Sequence, residues 1–186
     1  MAQQPPSSVN DPPAAMSLPL RVLVAVVSRG RNKTLDAVAQ SVVDILVAAG
    51  FHLVRSVVAQ SEETYIRQLV ANVSNDNEAD VIVMIGGTGF GPRDNTCEAI
   101  DGFVERRIEG FGEAFRELLR NEFNRGAAAM LSRATAGVYN GCVVFALTGR
   151  PQEITRAVEG LIVPALPEAV ARATGRLLSR DSVLPR

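Results

Sequence analysis

The chain has 186 residues, 47% of them hydrophobic, with a formal net charge of -1 and a pI near 5.9. That length holds one ordinary domain with a real core, and the near-zero charge argues against nucleic acid as principal partner. Two cysteines, Cys97 and Cys142, make neither a disulfide framework nor a thiolate zinc site, and His52 and Lys33 are the single His and Lys, so most acid/base and metal-hydrolase schemes lack their usual groups.

Residues 1–17 are rich in Pro, Ser, Gln and Asn and read as a disordered tail. They lack the basic start and apolar stretch of a secretory signal, and no later apolar run reaches the ~20 residues that span a bilayer, so a cytoplasmic protein without membrane contact is expected. Val22 to Val27 is continuously apolar and β-branched, as in a parallel strand covered on both faces. The polar loop Ser28 to Thr34 follows, and then Leu35, Val38, Ala39, Val42, Val43, Leu46 and Val47 recur at helical spacing up to Gly50.

Leu53 to Ala59 predicts a second strand, and Ile66, Leu69, Val70 and Val73 mark a helix opening near Ser61-Glu62-Glu63 and broken at Asn75-Asp76-Asn77. A third strand, Val81 to Ile85, runs straight into a glycine-rich loop. Beyond it, Val104, Ile108, Phe111, Phe115, Leu118 and Leu119 suggest helical segments interrupted at Gly110, with Glu105-Arg106-Arg107 and Glu117/Arg120 on a solvated helix face. Ala134 to Tyr139 and Cys142 to Leu147 flank Asn140-Gly141, the dipeptide of a type I′ hairpin turn. The last helix starts near Pro151 with Ile154, Val158, Leu161 and Ile162, and Pro164 or Pro167 is where it can break. The expected architecture is a three-layer α/β/α sandwich over 18–175, with a mostly parallel sheet plus a hairpin and a short tail at 176–186.

Open parallel sheets bind ligands beyond the carboxyl ends of their strands, where Gly86-Gly87-Thr88-Gly89-Phe90-Gly91-Pro92-Arg93-Asp94 must lie. Its glycines let the backbone take positive φ and expose amides to an anion, Thr88 adds a hydroxyl, Arg93 a phosphate-matching fork and Asp94 a hard oxygen for Mg²⁺. No Gly-Lys-Ser/Thr follows, so it is not a Walker A loop, and it does not match the dinucleotide fingerprint. A glycine turn can be purely structural; the adjoining Arg and Asp favour a phosphate site.

The string Gly86 to Asp94, continued by Asn95-Thr96-Cys97-Glu98-Ala99, resembles the Gly-Gly-Thr-Gly, Pro-Arg-Asp, Thr-Pro-Glu-Ala signature of the MoaB/Mog family of molybdenum cofactor biosynthesis proteins. The likeness runs from about Leu20 to Ala173, through Glu109 to Glu113, Leu131-Ser132-Arg133 and Leu161 to Pro167. It implies molybdopterin binding by a trimer or hexamer that works with other molybdenum cofactor biosynthesis proteins. In the catalytic branch it further implies Mg²⁺ and ATP, with AMP attached to molybdopterin's terminal phosphate. By that resemblance Asp94 is the catalytic residue and metal ligand, Gly86, Gly87, Thr88 and Gly89 cradle phosphate, and Phe90, Arg93, Glu98, Ser28, Asp36, Ser61, Glu62, Ser132, Gly149 and Arg150 complete the ligand site.

The chain departs from the family at Gln60-Ser61-Glu62, where the active branch has Pro-Asp-Glu, at Asp36-Ala37-Val38-Ala39 for Asp-x-Ser-Gly, and at Thr148-Gly149-Arg150-Pro151 for Pro-Gly-Ser-Pro. The alternative to an adenylyltransferase is therefore a non-catalytic pterin carrier of the same fold. His52 reads as a surface residue, Cys97 as a small packing residue at a helix start, and Lys33 as a loop cation that either is solvated or reaches the ligand.

Overall fold

The computed structural model describes residues 19–30, 33–147 and 149–175; the two expected tails and Thr148 lie outside them. In chain order the elements are β1 (Arg21–Val27), α1 (Lys33–Ala48), β2 (His52–Ala59), α2 (Glu63–Asn75), β3 (Val81–Ile85), α3 (Thr96–Asp101), β4 (Arg106–Arg107), α4 (Glu109–Phe123), a 3₁₀ segment (Gly126–Leu131), β5 (Thr135–Tyr139), β6 (Cys142–Leu147), α5 (Pro151–Ala157), a π turn (Val158–Ile162) and α6 (Val163–Thr174). The strands form one six-stranded sheet in the order β2-β1-β3-β6-β5-β4. β2, β1, β3 and β6 pair in parallel, whereas β5 is antiparallel to β6 and β4 to β5.

The unbroken apolar runs become the central strands because both their faces are covered. Side chains alternate across a strand, so Val22, Val24 and Val26 of β1 join one core with Val81, Val83 and Ile85, while Leu23, Ala25 and Val27 join the other with Ile82 and Met84. The first core is closed by α1, α4, α5 and α6 through residues such as Val42, Phe115, Ile154 and Leu166; the second, smaller core is closed by Ile66, Val70 and Val73 of α2 and Ile100 of α3. The three-layer reading therefore holds. Among the described residues no helix is long and apolar enough to cross a membrane.

The hairpin turn at Asn140 and Gly141 has φ of 44° and 76°, the two positive values that a type I′ turn needs. Three local expectations are corrected. Arg106 and Arg107 are not on a helix face: they form the edge strand β4, paired with Val138 and Gly137 of β5, and α4 begins only at Glu109. Gly110 does not interrupt that helix but sits in its first turn, where no neighbour crowds it. The closing helix breaks at neither Pro164 nor Pro167: the helical run passes through the π turn Val158–Ile162 just before Pro164, which sits in the first turn of α6, and Pro167 lies inside α6.

Candidate functional site

The register places the ends of β1, β2, β3 and β6 at one edge, since Val27 pairs with Ala59, Val26 with Ile85, and Ile85 with Leu147. The ladder runs one step further, through Ser28 N–H to Ala59 O at 2.9 Å and Gly86 N–H to Leu147 O at 3.0 Å. From there the chain leaves β1 for α1 on one face and β3 for α3 on the other, so the crevice opens between these neighbouring strands. Gly86 and Gly87 line that crevice against Val27. Their φ values are 105° and 67°, and a Cβ on Gly86 would stand 2.7 Å from the Val27 carbonyl oxygen. Glycine is required here by both backbone shape and space.

The hydrogen bonds of the loop divide by polarity. Gly86 O accepts from the Thr96 hydroxyl at 2.8 Å, Gly87 O from Thr96 N–H at 2.9 Å, Thr88 O from Arg133 Nε at 3.2 Å, and Gly89 O from the Arg133 guanidinium. In a trans peptide the N–H points opposite to the C=O. The amides of Gly87, Thr88, Gly89 and Phe90 thus face away from the groups that hold their carbonyls, and among the described residues none of them has an intramolecular acceptor. Thr88 is 1% exposed, and its buried hydroxyl also lacks a partner among the described residues. Backbone donors left open in such a row can receive an anion.

Arg133 binds the loop from the far side. Besides the two carbonyls, it pairs with Glu98 at 2.5 Å and lies 5.1 Å from the centroid of the exposed Phe90 ring. The guanidinium holds the Glu98 carboxyl below the usual carboxylate range. The pair's contribution is therefore complete above the ordinary glutamate value and is lost only as pH falls through the lowered one; with Glu98 half exposed it is small. Cys97, beneath the loop, has its thiol pushed up to about 12 by burial, which keeps it protonated and supports its reading as a packing residue.

Asp94 turns inward. Its Oδ2 accepts the Gly91 N–H at 3.0 Å and lies 2.5 Å from where a Cβ on Gly89 would be. Ser61 is buried, and its hydroxyl donates to the Arg93 carbonyl at 2.6 Å while Asn95 Nδ2 donates back to Ser61 O at 3.0 Å. The residue standing where the family's catalytic branch has an aspartate is thus a neutral latch on the loop. Among the described residues no group of three or more His, Cys, Asp or Glu could hold a metal ion. Asp94 is the one carboxylate of this loop that a Mg²⁺ carried by a polyphosphate would meet.

The remaining residues distribute as follows. Ser28 lies at the end of β1 with its hydroxyl donating to Gly30 O at 2.7 Å, and Asp36 lies partly buried in the first turn of α1. Lys33 opens α1 rather than belonging to the loop, and its side chain is exposed. Glu62 is the exposed residue before α2, and Arg93 is exposed. Gly149 and Arg150 follow β6 at the same edge, where the buried Glu153 accepts the Arg150 N–H at 2.9 Å and pairs with Arg125 at 2.7 Å. Ser132 and Glu98 lie to one side, lining a pocket of about 410 Å³ with Arg107, Arg116 and Arg133. A larger cavity of about 660 Å³, between α6 and the β4–β5 edge, contains none of these residues. His52 is exposed at the start of β2, remote from this edge.

Sequence reasoning missed Thr96, Arg133, Asn95 and the Arg125–Glu153 pair as site-building residues. The first three stood inside strings quoted for the family resemblance, but their role is to hold backbone, which composition does not reveal.

A family profile described as a probable molybdopterin binding domain matches residues 21–168. Molybdenum cofactor biosynthesis protein B of Bacillus subtilis (strain 168) is 34% identical over 151 residues, covering 81% of this chain and 88% of that protein. The Escherichia coli (strain K12) protein of the same name is 32% identical over 149 residues, covering 80% and 86%. Among solved structures, a molybdenum cofactor biosynthesis protein B superposes with a TM-score of 0.78 at 30% identity, covering 85% of this chain and 98% of that one. The molybdopterin biosynthesis enzyme MoaB of Thermus thermophilus superposes with a TM-score of 0.72 at 25% identity, covering 86% and 99%.

Proposed function

Because the chain belongs to the MoaB/Mog family of molybdenum cofactor biosynthesis proteins, we propose that it binds molybdopterin through its terminal phosphate and transfers AMP to that phosphate from Mg-ATP. The observation that carries this reading is the row of four amides, Gly87 to Phe90, left without acceptors while their carbonyls are tied back by Thr96 and Arg133. A pocket of about 410 Å³ on the Arg133 side of the loop, lined by Glu98, Arg107, Arg116 and Ser132, is of a size to take a pterin.

In the proposed reaction an oxygen of molybdopterin's terminal phosphate attacks the α-phosphorus of ATP. A new P–O bond forms, the bond from the α-phosphorus to the α–β bridging oxygen breaks, and pyrophosphate leaves with its electrons. A phosphate monoester is already largely dianionic at pH 7, its second pKa being about 6, so no protein base is needed to activate it. That accords with a chain holding a single His, exposed and remote from the loop. What the protein supplies is positioning and charge stabilisation by preorganised amides. Bound with ATP and held by Asp94, Mg²⁺ would neutralise the polyphosphate and its leaving group.

Incubating the protein with molybdopterin and Mg-ATP should yield adenylylated pterin and pyrophosphate in equal amounts. Asp94→Ala should lower the rate by about 10²- to 10³-fold while changing stability by no more than about 1 kcal/mol, the worth of its one hydrogen bond to Gly91. A variant as fast as the parent would remove Asp94 from the chemistry. The second reading, a pterin carrier without transferase activity, is favoured by one observation, the Ser61 hydroxyl spent on the Arg93 carbonyl in place of a carboxylate. Pterin binding of normal strength with no adenylylated product would decide for it.

A further inference from the structure

Two of the four cradle peptides, Thr88–Gly89 and Gly89–Phe90, are held at their carbonyl ends by Arg133, apart from a long thiol contact of Cys97 to Thr88 O at 3.9 Å. The other two rest on Thr96. An arginine beside a phosphate site ordinarily suggests a clamp that meets the anion with its own fork. Here the donors are already engaged. Nε goes to Thr88 O, one terminal nitrogen to Glu98, and the other is shared among Gly89 O, the Asp94 carbonyl at 3.5 Å and Glu98 at 3.4 Å. Of five N–H groups, little remains for a ligand, and Glu98 offsets the charge.

We propose that Arg133 is a positioning residue for anion binding: it acts through the Thr88–Gly89 and Gly89–Phe90 peptides, fixing their N–H groups toward the ligand, and does not meet the anion itself. The inference rests on the anion-site reading of the loop. It is specific to arginine, because three acceptors spread around a planar guanidinium cannot all be reached by the point-like ammonium of lysine. Arg133→Lys, which keeps the charge, should therefore behave like Arg133→Ala.

The test is an amide ¹H–¹⁵N titration with inorganic pyrophosphate on the parent, Arg133→Lys and Arg133→Ala proteins. In the parent, all four amides from Gly87 to Phe90 should shift, and the Arg133 Nε–H, bonded to Thr88 O, should stay nearly still. Without ligand, Arg133→Lys should displace the Gly89 and Phe90 resonances and leave Gly87 and Thr88, held by Thr96, in place; the latter pair also reports that the fold is intact. Pyrophosphate should then bind about tenfold or more weakly and no longer move Gly89 and Phe90.

Parent-like affinity in Arg133→Lys alongside loss in Arg133→Ala would mean that the charge suffices and would overturn the inference, as would unmoved Gly89 and Phe90 resonances in the lysine variant. A large shift of Arg133 Nε–H in the parent, with none at Gly89 and Phe90, would overturn it without any variant. Should none of the four parent amides respond to pyrophosphate, the anion-site reading falls and the inference with it.

Discussion

Gly86→Ala should lower the free energy of unfolding by about 3–5 kcal/mol and abolish pyrophosphate binding. Two costs add. The backbone φ of 105° lies where a side chain is strained, at about 1–3 kcal/mol, and the new methyl would lie 2.7 Å from the Val27 carbonyl oxygen, an atom fixed in the central ladder. Relief requires the loop to withdraw from β1, which moves the Gly87 amide and breaks the Thr96 contact to Gly86 O. Against a total stability of about 5–15 kcal/mol, this is a large fraction. Gly110→Ala is the control: nothing lies within 4 Å of that site and it is helical, so stability should be unchanged or rise by up to about 1 kcal/mol. Urea unfolding of both variants checks the pair, and a Gly86→Ala protein as stable as the parent would mean that the loop is not pinned to β1.

Glu153→Ala should cost about 2–4 kcal/mol. Glu153 is 1% exposed, and its carboxylate accepts the Arg150 N–H while pairing with Arg125 through both oxygens. Truncation leaves an amide at the start of α5 unsatisfied and a guanidinium without its counter-charge. Arg125 is 30% exposed and can turn to water, which keeps the cost below that of a fully buried pair. Glu153→Gln retains an acceptor for Arg150 and should fall midway. Gly149 belongs to the same construction, since a Cβ there would stand 2.6 Å from the carboxylate. Thermal or urea unfolding that ranks Glu153→Ala level with the parent would show that this turn is held by something other than the ion pair.

How far the sequence revealed the structure depended on whether a residue acts locally. The runs Val22–Val27 and Val81–Ile85 could only be doubly covered strands, and Asn140-Gly141 could hardly serve anything but a tight hairpin. β4 was hidden because Arg106 and Arg107, two exposed charges, are strand only by pairing with β5, about 30 residues onward. The π turn was hidden for a similar reason: the prolines predicted disruption, but packing of Ile162 and Leu166 into the core keeps the run helical.

The glycine loop was legible because positive φ and an adjoining carboxylate leave a mark in composition. The partners that give it polarity were not. Arg133 is separated by 44 residues from the Gly89 carbonyl it holds, and nothing in the string around Thr96 marks the two carbonyls it holds. Glu153 is one charged residue in a helix by sequence, yet it is buried and anchors the turn before it.

The central claim is that the amide side of the Gly86–Phe90 peptides faces a ligand because their carbonyl side is tied to the protein. A crystal structure of the protein grown with pyrophosphate tests it most directly. A phosphoryl group should lie about 2.7–3.2 Å from the amides of Gly87 to Phe90, with Thr96 and Arg133 still on the carbonyls. A phosphoryl group bound elsewhere, or those amides turned onto acceptors of the protein itself, would contradict it.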